Sequence, residues 1–73
     1  MIYNADLEKE LNELYPKGTR VRCIEMPDDP KPVPPGTLGT VTSVNGFGQI
    51  RVTWDNGSGL YLLYEIDSFE IVE

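Results

Sequence analysis

Apolar residues recur at helical spacing near the start of the chain. Leu7, Leu11, Leu14 and Tyr15 stand at positions i, i+4, i+7 and i+8, with polar or charged residues between them. On a helix these four side chains form one stripe. The spacing therefore predicts a helix over about residues 5–15. Because so short a helix is unstable alone in water, we expect it to pack against the rest of the fold. The candidate caps for its start are Asn4 and Asp6.

Further along the chain the pattern changes to strict alternation. Ile50, Val52 and Trp54 alternate with Arg51 and Thr53, which is typical of a strand with one buried face. Asn-Gly and Asp-Asn-Gly sequences before and after this stretch favour tight turns. The predicted strands are residues 19–24, 39–44, 49–54, 60–63 and 68–72. Residues 65–67 are predicted to form a brief connector or a single 3₁₀ turn.

A long loop separates the first two predicted strands. Residues 25–35, EMPDDPKPVPP, hold five of the six prolines, and proline cannot donate to a sheet ladder. Pro35-Gly36 fits the centre of a type II turn. Five short strands with one long loop predict a mainly β fold, a five-stranded SH3-like small barrel with one N-terminal α-helix. We expect one domain over residues 1–73, with the barrel over about 19–72 and its sheet closed so that no edge is exposed.

Composition narrows the classes of function. The chain has 73 residues, with twelve acidic residues, six basic residues and no histidine, and its net charge is −6. This charge disfavours binding to a phosphate backbone, and the lack of histidine disfavours a zinc cluster. The single cysteine, Cys23, leaves no internal disulfide and suits a reducing cytosol. No segment has the pattern of a secretory signal or a membrane span, so we expect a cytoplasmic protein that does not engage a membrane.

Residues that could carry chemistry are isolated from one another. Cys23 has no histidine to activate it, so a buried strand thiol is the expected role, and the serines likewise have no base. Asp28 and Asp29 provide too few oxygen ligands for a calcium loop. We therefore expect no catalytic residue, no metal site and no cofactor. Trp54 could form the floor of a ligand groove, but its phase with Ile50 and Val52 favours the core.

Three other aromatic residues are better candidates for recognition. Phe47 lies in a predicted turn, and Tyr61 and Tyr64 lie in or beside a short strand, where partial exposure is expected. Aromatic side chains of this kind suit protein interfaces. The alternative is that Phe47 covers the rim of the barrel while the tyrosines pack on the helix stripe.

Three arginines could form a small basic surface, namely Arg20, Arg22 and Arg51. A separate pattern at residues 34–44, P-x-G-x-x-G-x-V-x-x-V, resembles the core of KOW-type and other SH3-like barrel modules. One interpretation is nucleic-acid binding through a KOW-like face that includes the arginines, and the other is that these glycines and valines only serve the packing of a tight barrel. The competing expectation is cross-strand pairing of the arginines with acidic residues. The candidate acids are Glu65, Glu70 and Glu73.

Several motifs together resemble one family of short proteins. They are ELNELYPKGTRV at the helix exit, EMPDDPKPVPPGTLGTV through the loop, VTWDNGSGL, and IDSFEIV near the end. This combination resembles the domain-of-unknown-function family forty-three-fourteen of phages and conjugative elements, over nearly all of residues 5–72. The chain departs from the family pattern at VNGFGQI, so Phe47 is a feature of this member. The resemblance implies an SH3-like barrel and a mobile-element origin, but no binding residues.

The leading hypothesis is a non-catalytic protein-binding module of mobile-element origin that docks on phage, plasmid or host machinery. Two alternatives remain open. One is nucleic-acid binding through a KOW-like barrel face, and the other is an acidic decoy that occupies a host protein's nucleic-acid channel.

Overall fold

The helix and the five predicted strands form in the predicted order. A computed structural model describes residues 2–27 and 29–72. Helix α1 covers Ala5–Leu14, and the strands are β1 (Arg20–Glu25), β2 (Leu38–Val44), β3 (Gln49–Trp54), β4 (Leu62–Leu63) and β5 (Ser68–Ile71). The strands form one sheet in the order β4-β3-β2-β1-β5, and every neighbouring pair is antiparallel. The prediction of a mainly β protein with one short helix is confirmed.

The expected closure of the sheet is wrong. Strands β4 and β5 lie at opposite edges, and no ladder joins them among the residues that the structure describes. Strand β4 has only two residues, and Leu60, which was predicted to lie in this strand, accepts a hydrogen bond of 2.9 Å from the Trp54 indole through its carbonyl. The exposure of Ile71 agrees with an open edge. Ile71 pairs with the buried Val21 and so faces the core side, yet its side chain is 51% exposed.

The core lies on the face of the sheet that the alternation predicts. Its buried side chains come mainly from β1, β2 and β3, and Trp54 is 1% exposed, so the core prediction for the indole is confirmed. The buried apolar residues are Leu11, Val21, Cys23, Met26, Val33, Val41, Ile50, Val52, Trp54 and Leu62. The register shifts between Cys23 and Glu25 and between Val41 and Ser43. Such irregularities bend strands, which lets the sheet curve around this core.

A glycine makes room for the indole. An added Cβ at Gly39 in β2 would lie 2.5 Å from Val52 Cγ1 and 2.7 Å from Trp54 Cε3. Only a residue without a side chain therefore fits opposite Trp54, with which Gly39 is paired.

The proline-rich loop folds under the sheet and contributes to the core. The Cys23 Sγ donates to the Val33 carbonyl at 3.4 Å, and the Val33 N–H donates to the Met26 sulfur at 3.5 Å. The loop ends in a turn in which the Thr37 N–H donates to the Pro34 carbonyl at 3.2 Å, and Gly36 has a φ of 89°. A positive φ at this position is the signature of the predicted type II turn.

Helix α1 begins at a side-chain cap and packs through most of its apolar stripe, but Leu14, which was predicted to lie in the stripe, is exposed. Asn4 is the cap, and its Oδ1 accepts from the Leu7 N–H at 3.0 Å. Leu11 is completely buried, and just past the helix the Tyr15 ring lies 5.2 Å from that of Phe69 in β5. The described residues include no helix with the length and apolar character needed to cross a bilayer.

The connection from β4 to β5 is a tight hydrogen-bonded turn, as predicted for residues 65–67. The Leu63 carbonyl accepts from the N–H groups of Ile66 and Asp67, at 3.1 and 2.9 Å. In return the Asp67 carboxylate accepts from the Leu63 N–H at 2.8 Å. Glu65 adopts a φ of 72° within this turn.

Candidate functional site

Candidate binding groups lie on open surface. The part of the chain that the structure describes encloses no pocket. Several large apolar side chains are instead exposed on the outside, and singly exposed residues of this kind are common in proteins. They are Ile2, Tyr3, Leu14, Ile24, Phe47, Tyr61, Ile66 and Ile71.

Two of these residues form an exposed aromatic pair. The rings of Tyr3 and Phe47 lie 5.1 Å apart between centroids, with an interplanar angle of 82°. This is the edge-to-face arrangement that aromatic quadrupoles favour. Tyr3 is 49% exposed, Phe47 is 41% exposed, and the preceding Ile2 is 90% exposed. We call these three residues the Tyr3–Phe47 surface.

The backbone holds this surface in place at Gly46. The Asn4 N–H donates to the Gly46 carbonyl at 2.9 Å, which ties the segment before α1 to the β2–β3 turn. An added Cβ at Gly46 would lie 2.5 Å from the Asn4 carbonyl oxygen and 2.9 Å from Tyr3 Cζ. On the other side, the Asn45 side chain accepts from the Phe47 N–H at 2.9 Å, an Asx turn that fixes the Phe47 backbone. The positions of both rings therefore depend on local backbone contacts.

The sequence prediction included Phe47 but missed its partner. Tyr3 precedes the cap residue Asn4, a position from which an apolar side chain often packs on the fourth helical residue. Here that residue is Glu8, which is charged, so Tyr3 has no apolar partner on its own helix. An unpaired aromatic residue before a helix cap is the signal that could have identified Tyr3.

Tyr64 has a different environment from Phe47. Its side chain is half-buried and packs against the core, and its N–H donates to the Gly48 carbonyl at 2.8 Å. An added Cβ at Gly48 would lie 3.8 Å from both Tyr64 Cβ and Leu7 Cδ2, so Tyr64 lies beside the helix. Burial raises the pKa of the Tyr15 hydroxyl, and the neighbouring Tyr64 raises it further.

Tyr61 and Arg51 form a second exposed pair, away from the arginines of β1. The guanidinium carbon of Arg51 lies 5.9 Å from the centroid of the Tyr61 ring, within the range of a cation–π contact. Tyr61 is 41% exposed, and Arg51 lies on the outer face of β3. Strand β2 separates Arg51 from β1.

Both arginines of β1 are neutralised by acids. Arg20 donates to the two carboxylate oxygens of Asp55 at 3.1 and 2.8 Å, and to the Thr40 hydroxyl at 2.9 Å. The hydrogen bonding between Arg20 and Asp55 lowers the pKa of Asp55 from its ordinary value and raises the pKa of Arg20 from its own. Arg22 forms an ion pair with Glu70 of β5, so that predicted pairing is confirmed. The Asp55 pair was not predicted, and Glu73 lies outside the described residues.

Cys23 is buried, as predicted for a structural thiol. Its side chain has no exposed surface, and burial raises the pKa of the thiol, with a further contribution from the charge of Asp67. A protonated thiol that donates to a carbonyl is a poor nucleophile.

The acids of the proline-rich loop contribute one local contact. The Asp29 carboxylate accepts from the Lys31 N–H at 2.9 Å, and Asp28 lies outside the described residues. Within residues 2–27 and 29–72, no three side chains of the metal-binding types lie close enough to hold an ion.

A family model matches nearly the whole chain. The family model of a domain of unknown function (DUF4314) matches residues 4–72, which include α1, the proline-rich loop and all five strands. No curated protein and no solved structure matches the chain. Because the match spans nearly the whole sequence, the chain belongs to this family of domains of unknown function.

Proposed function

We propose that this protein is a non-catalytic binding module that docks on another protein through the Tyr3–Phe47 surface. The observation that carries the proposal is the edge-to-face contact of two rings, each nearly half exposed, on a backbone fixed at Gly46. Aromatic side chains are enriched at the centres of protein interfaces. A pair whose geometry is already set loses little conformational entropy on binding, which favours affinity.

The proposal includes an SH3-like scaffold with an open sheet. Consecutive strands pair in order, and β5 returns to lie beside β1. The long loop between β1 and β2 and the short β4 also support this assignment. The proposed origin in a mobile element rests on the sequence resemblance, and the proposed cytosolic setting rests on the free thiol of Cys23.

Recognition without catalysis is supported by the state of the potential nucleophile. The chain has no histidine, and the single cysteine is buried with a raised pKa. The Tyr3–Phe47 surface adds contact area, and its one polar side-chain group is the hydroxyl of Tyr3. Binding is therefore the activity that these residues can support.

The test compares two substitutions of equally exposed aromatic residues. Phe47 and Tyr61 are both 41% exposed, so Phe47→Ser removes a ring of the proposed surface and Tyr61→Ser is the matched control. Tagged wild-type protein and both variants would be incubated with host lysate, and retained proteins would be quantified by mass spectrometry. We expect a partner that the wild type and Tyr61→Ser retain and that Phe47→Ser retains about tenfold less. A set of partners equally retained by all three proteins would contradict the proposal.

A second candidate function is nucleic-acid binding, which the Arg51–Tyr61 pair favours. An exposed ring can stack on a base, and a neighbouring guanidinium can contact phosphate. The pairing of Arg20 and Arg22 with acids reduces the positive charge available for this function. Titration with single-stranded RNA and DNA at low salt tests it, and binding should weaken in Arg51→Gln and in Tyr61→Ser. Absence of binding at low salt would contradict it.

A further inference from the structure

A row of exposed acids runs along α1 from the end that carries the aromatic surface. Asp6, Glu10 and Glu13 occupy positions i, i+4 and i+7, so they lie on one side of the helix, and all three are exposed. We call them the α1 acidic row. None of the three forms an ion pair with another of the residues that the structure describes. Their negative charges are therefore available to a partner.

Helix stability explains only part of this arrangement, since Asp6 in the first turn suits the helix dipole and Lys9 lies within reach of Asp6 and Glu13 along the helix. Like charges spaced by three or four residues repel each other on a helix. An acid near the C-terminal end also opposes the helix dipole, and the last turn of α1 has no basic residue. Glu10 has no basic residue three or four positions away on α1, so it weakens the helix that bears it.

The acidic row begins close to Tyr3 along the chain. Tyr3 precedes the cap Asn4, and the row begins two residues after the cap, at Asp6. From Asp6 to Glu13 the row is about 10 Å long, since a helix rises about 1.5 Å per residue. A short peptide segment is long enough to contact both features at once.

Resting on the proposed function, we infer that the partner presents a basic segment, with lysine or arginine side chains against the α1 acidic row and an apolar side chain against Tyr3 and Phe47. The apolar contact supplies affinity, and the charge complementarity selects the partner and speeds association. A second copy of this chain is disfavoured as the occupant. Its net charge is also −6, and a symmetric contact through this surface would bring two acidic rows together.

The experiment uses two short synthetic peptides, one with lysines flanking leucines and one with glutamates in place of the lysines. Each would be titrated into the isotopically labelled full chain and followed by NMR. We expect the lysine peptide to bind, with shifts at Tyr3, Phe47 and α1, and the glutamate peptide to bind at least about tenfold more weakly. Binding of the lysine peptide should also weaken at about 1 M salt, where the Debye length falls to about 3 Å.

Two variants with the same change in charge separate local from general electrostatics. Glu10→Gln with Glu13→Gln removes two charges from the acidic row, and Glu25→Gln with Glu65→Gln removes two from exposed positions elsewhere. Only the double variant Glu10→Gln with Glu13→Gln should bind the lysine peptide more weakly than the wild type does, by about tenfold. Equal loss in both variants would overturn the inference, because net charge alone would then explain the binding.

Other outcomes distinguish the inference from the proposed function. If both peptides bind equally well and Phe47→Ser binds neither, the inference of a basic partner is overturned. The proposed docking through Tyr3 and Phe47 would then still hold. No binding of either peptide at millimolar concentration would also overturn the inference, while the comparison of Phe47→Ser with Tyr61→Ser in lysate would still test the docking surface. If the NMR signals of Tyr3 and Phe47 shift with protein concentration in the absence of peptide, a second copy of the chain occupies this surface. That result would also overturn the inference of a basic partner.

Discussion

Arg20 in β1 and Asp55 at the end of β3 are joined by two parallel hydrogen bonds across the intervening strand β2. Their lengths are 3.1 and 2.8 Å, and the Thr40 hydroxyl of β2 accepts a third bond from the same guanidinium at 2.9 Å. Planar two-point pairing is the geometry in which arginine binds carboxylate most strongly. The pair links three strands on the outer face of the sheet.

This pair predicts a specific dependence of stability on pH. The hydrogen bond from Arg20 lowers the pKa of Asp55 in the folded state below its ordinary value of 3.8. A carboxyl group with a lowered folded pKa stabilises the fold fully above its unfolded pKa, and this contribution is lost as the pH falls through the folded pKa. We expect the wild type to be more stable than Asp55→Asn at neutral pH, with a difference that shrinks below about pH 4.

Urea unfolding of both proteins across this pH range measures the effect. Arg20→Met should remove the same pH-dependent difference, and adding Asp55→Asn to it should change little further. A difference between wild type and Asp55→Asn that stays constant down to the lowest pH would contradict the prediction.

Gly39→Ala should destabilise the fold because its methyl group would enter occupied space. The added carbon would lie 2.5 Å from Val52 Cγ1 and 2.7 Å from Trp54 Cε3, both in the core. Overpacking of this kind costs about 1–3 kcal/mol of unfolding free energy. Gly59→Ala is the matched control, since nothing lies within 4 Å of its added carbon. The prediction fails if urea unfolding shows equal stabilities for the two variants.

Gly46→Ala should move the segment that carries Tyr3 away from the β2–β3 turn that carries Phe47. The added carbon would lie 2.5 Å from the Asn4 carbonyl oxygen, so the segment before α1 must move. We expect the ring-current shifts between Tyr3 and Phe47 to disappear from the NMR spectrum, together with protection of the Asn4 amide from exchange. Gly59→Ala should preserve both signals, and their survival in Gly46→Ala would contradict the positioning role of Gly46.

The thiol of Cys23 should react only when the fold opens. Its side chain is fully buried and its pKa is raised above 9.0 by burial. Because the pKa of the thiol is higher in the folded than in the unfolded protein, its contribution to the free energy of unfolding is complete below the unfolded pKa and is lost as the pH rises through the folded pKa. At neutral pH the folded protein therefore keeps this thiol protonated and out of solvent. A chromogenic disulfide reagent should therefore label the native protein slowly and the urea-unfolded protein at once. Rapid labelling of native protein at neutral pH would show that the thiol is accessible.

The positions of the helix and strands follow from local patterns. The stripe at Leu7 and Leu11 identified α1, and the alternation at Ile50, Val52 and Trp54 identified both β3 and its buried face. These predictions succeeded because period and phase depend only on backbone geometry within one element. The predicted strand extends too far at Leu60, whose carbonyl accepts a hydrogen bond from the Trp54 indole, a contact that no pattern within the strand predicts.

Local patterns along the chain are enough to predict the helix, the strands, the turns and the strand residues that enter the core, because these features depend on neighbours in sequence. Three relationships exist only in the folded chain, namely the open sheet, the ion pair of Arg20 with Asp55 and the contact of Tyr3 with Phe47. Each of these relationships depends on the register between strands or on the path of the chain between elements. Residues distant in sequence come together only after that register and path are fixed, so no local pattern encodes their contact.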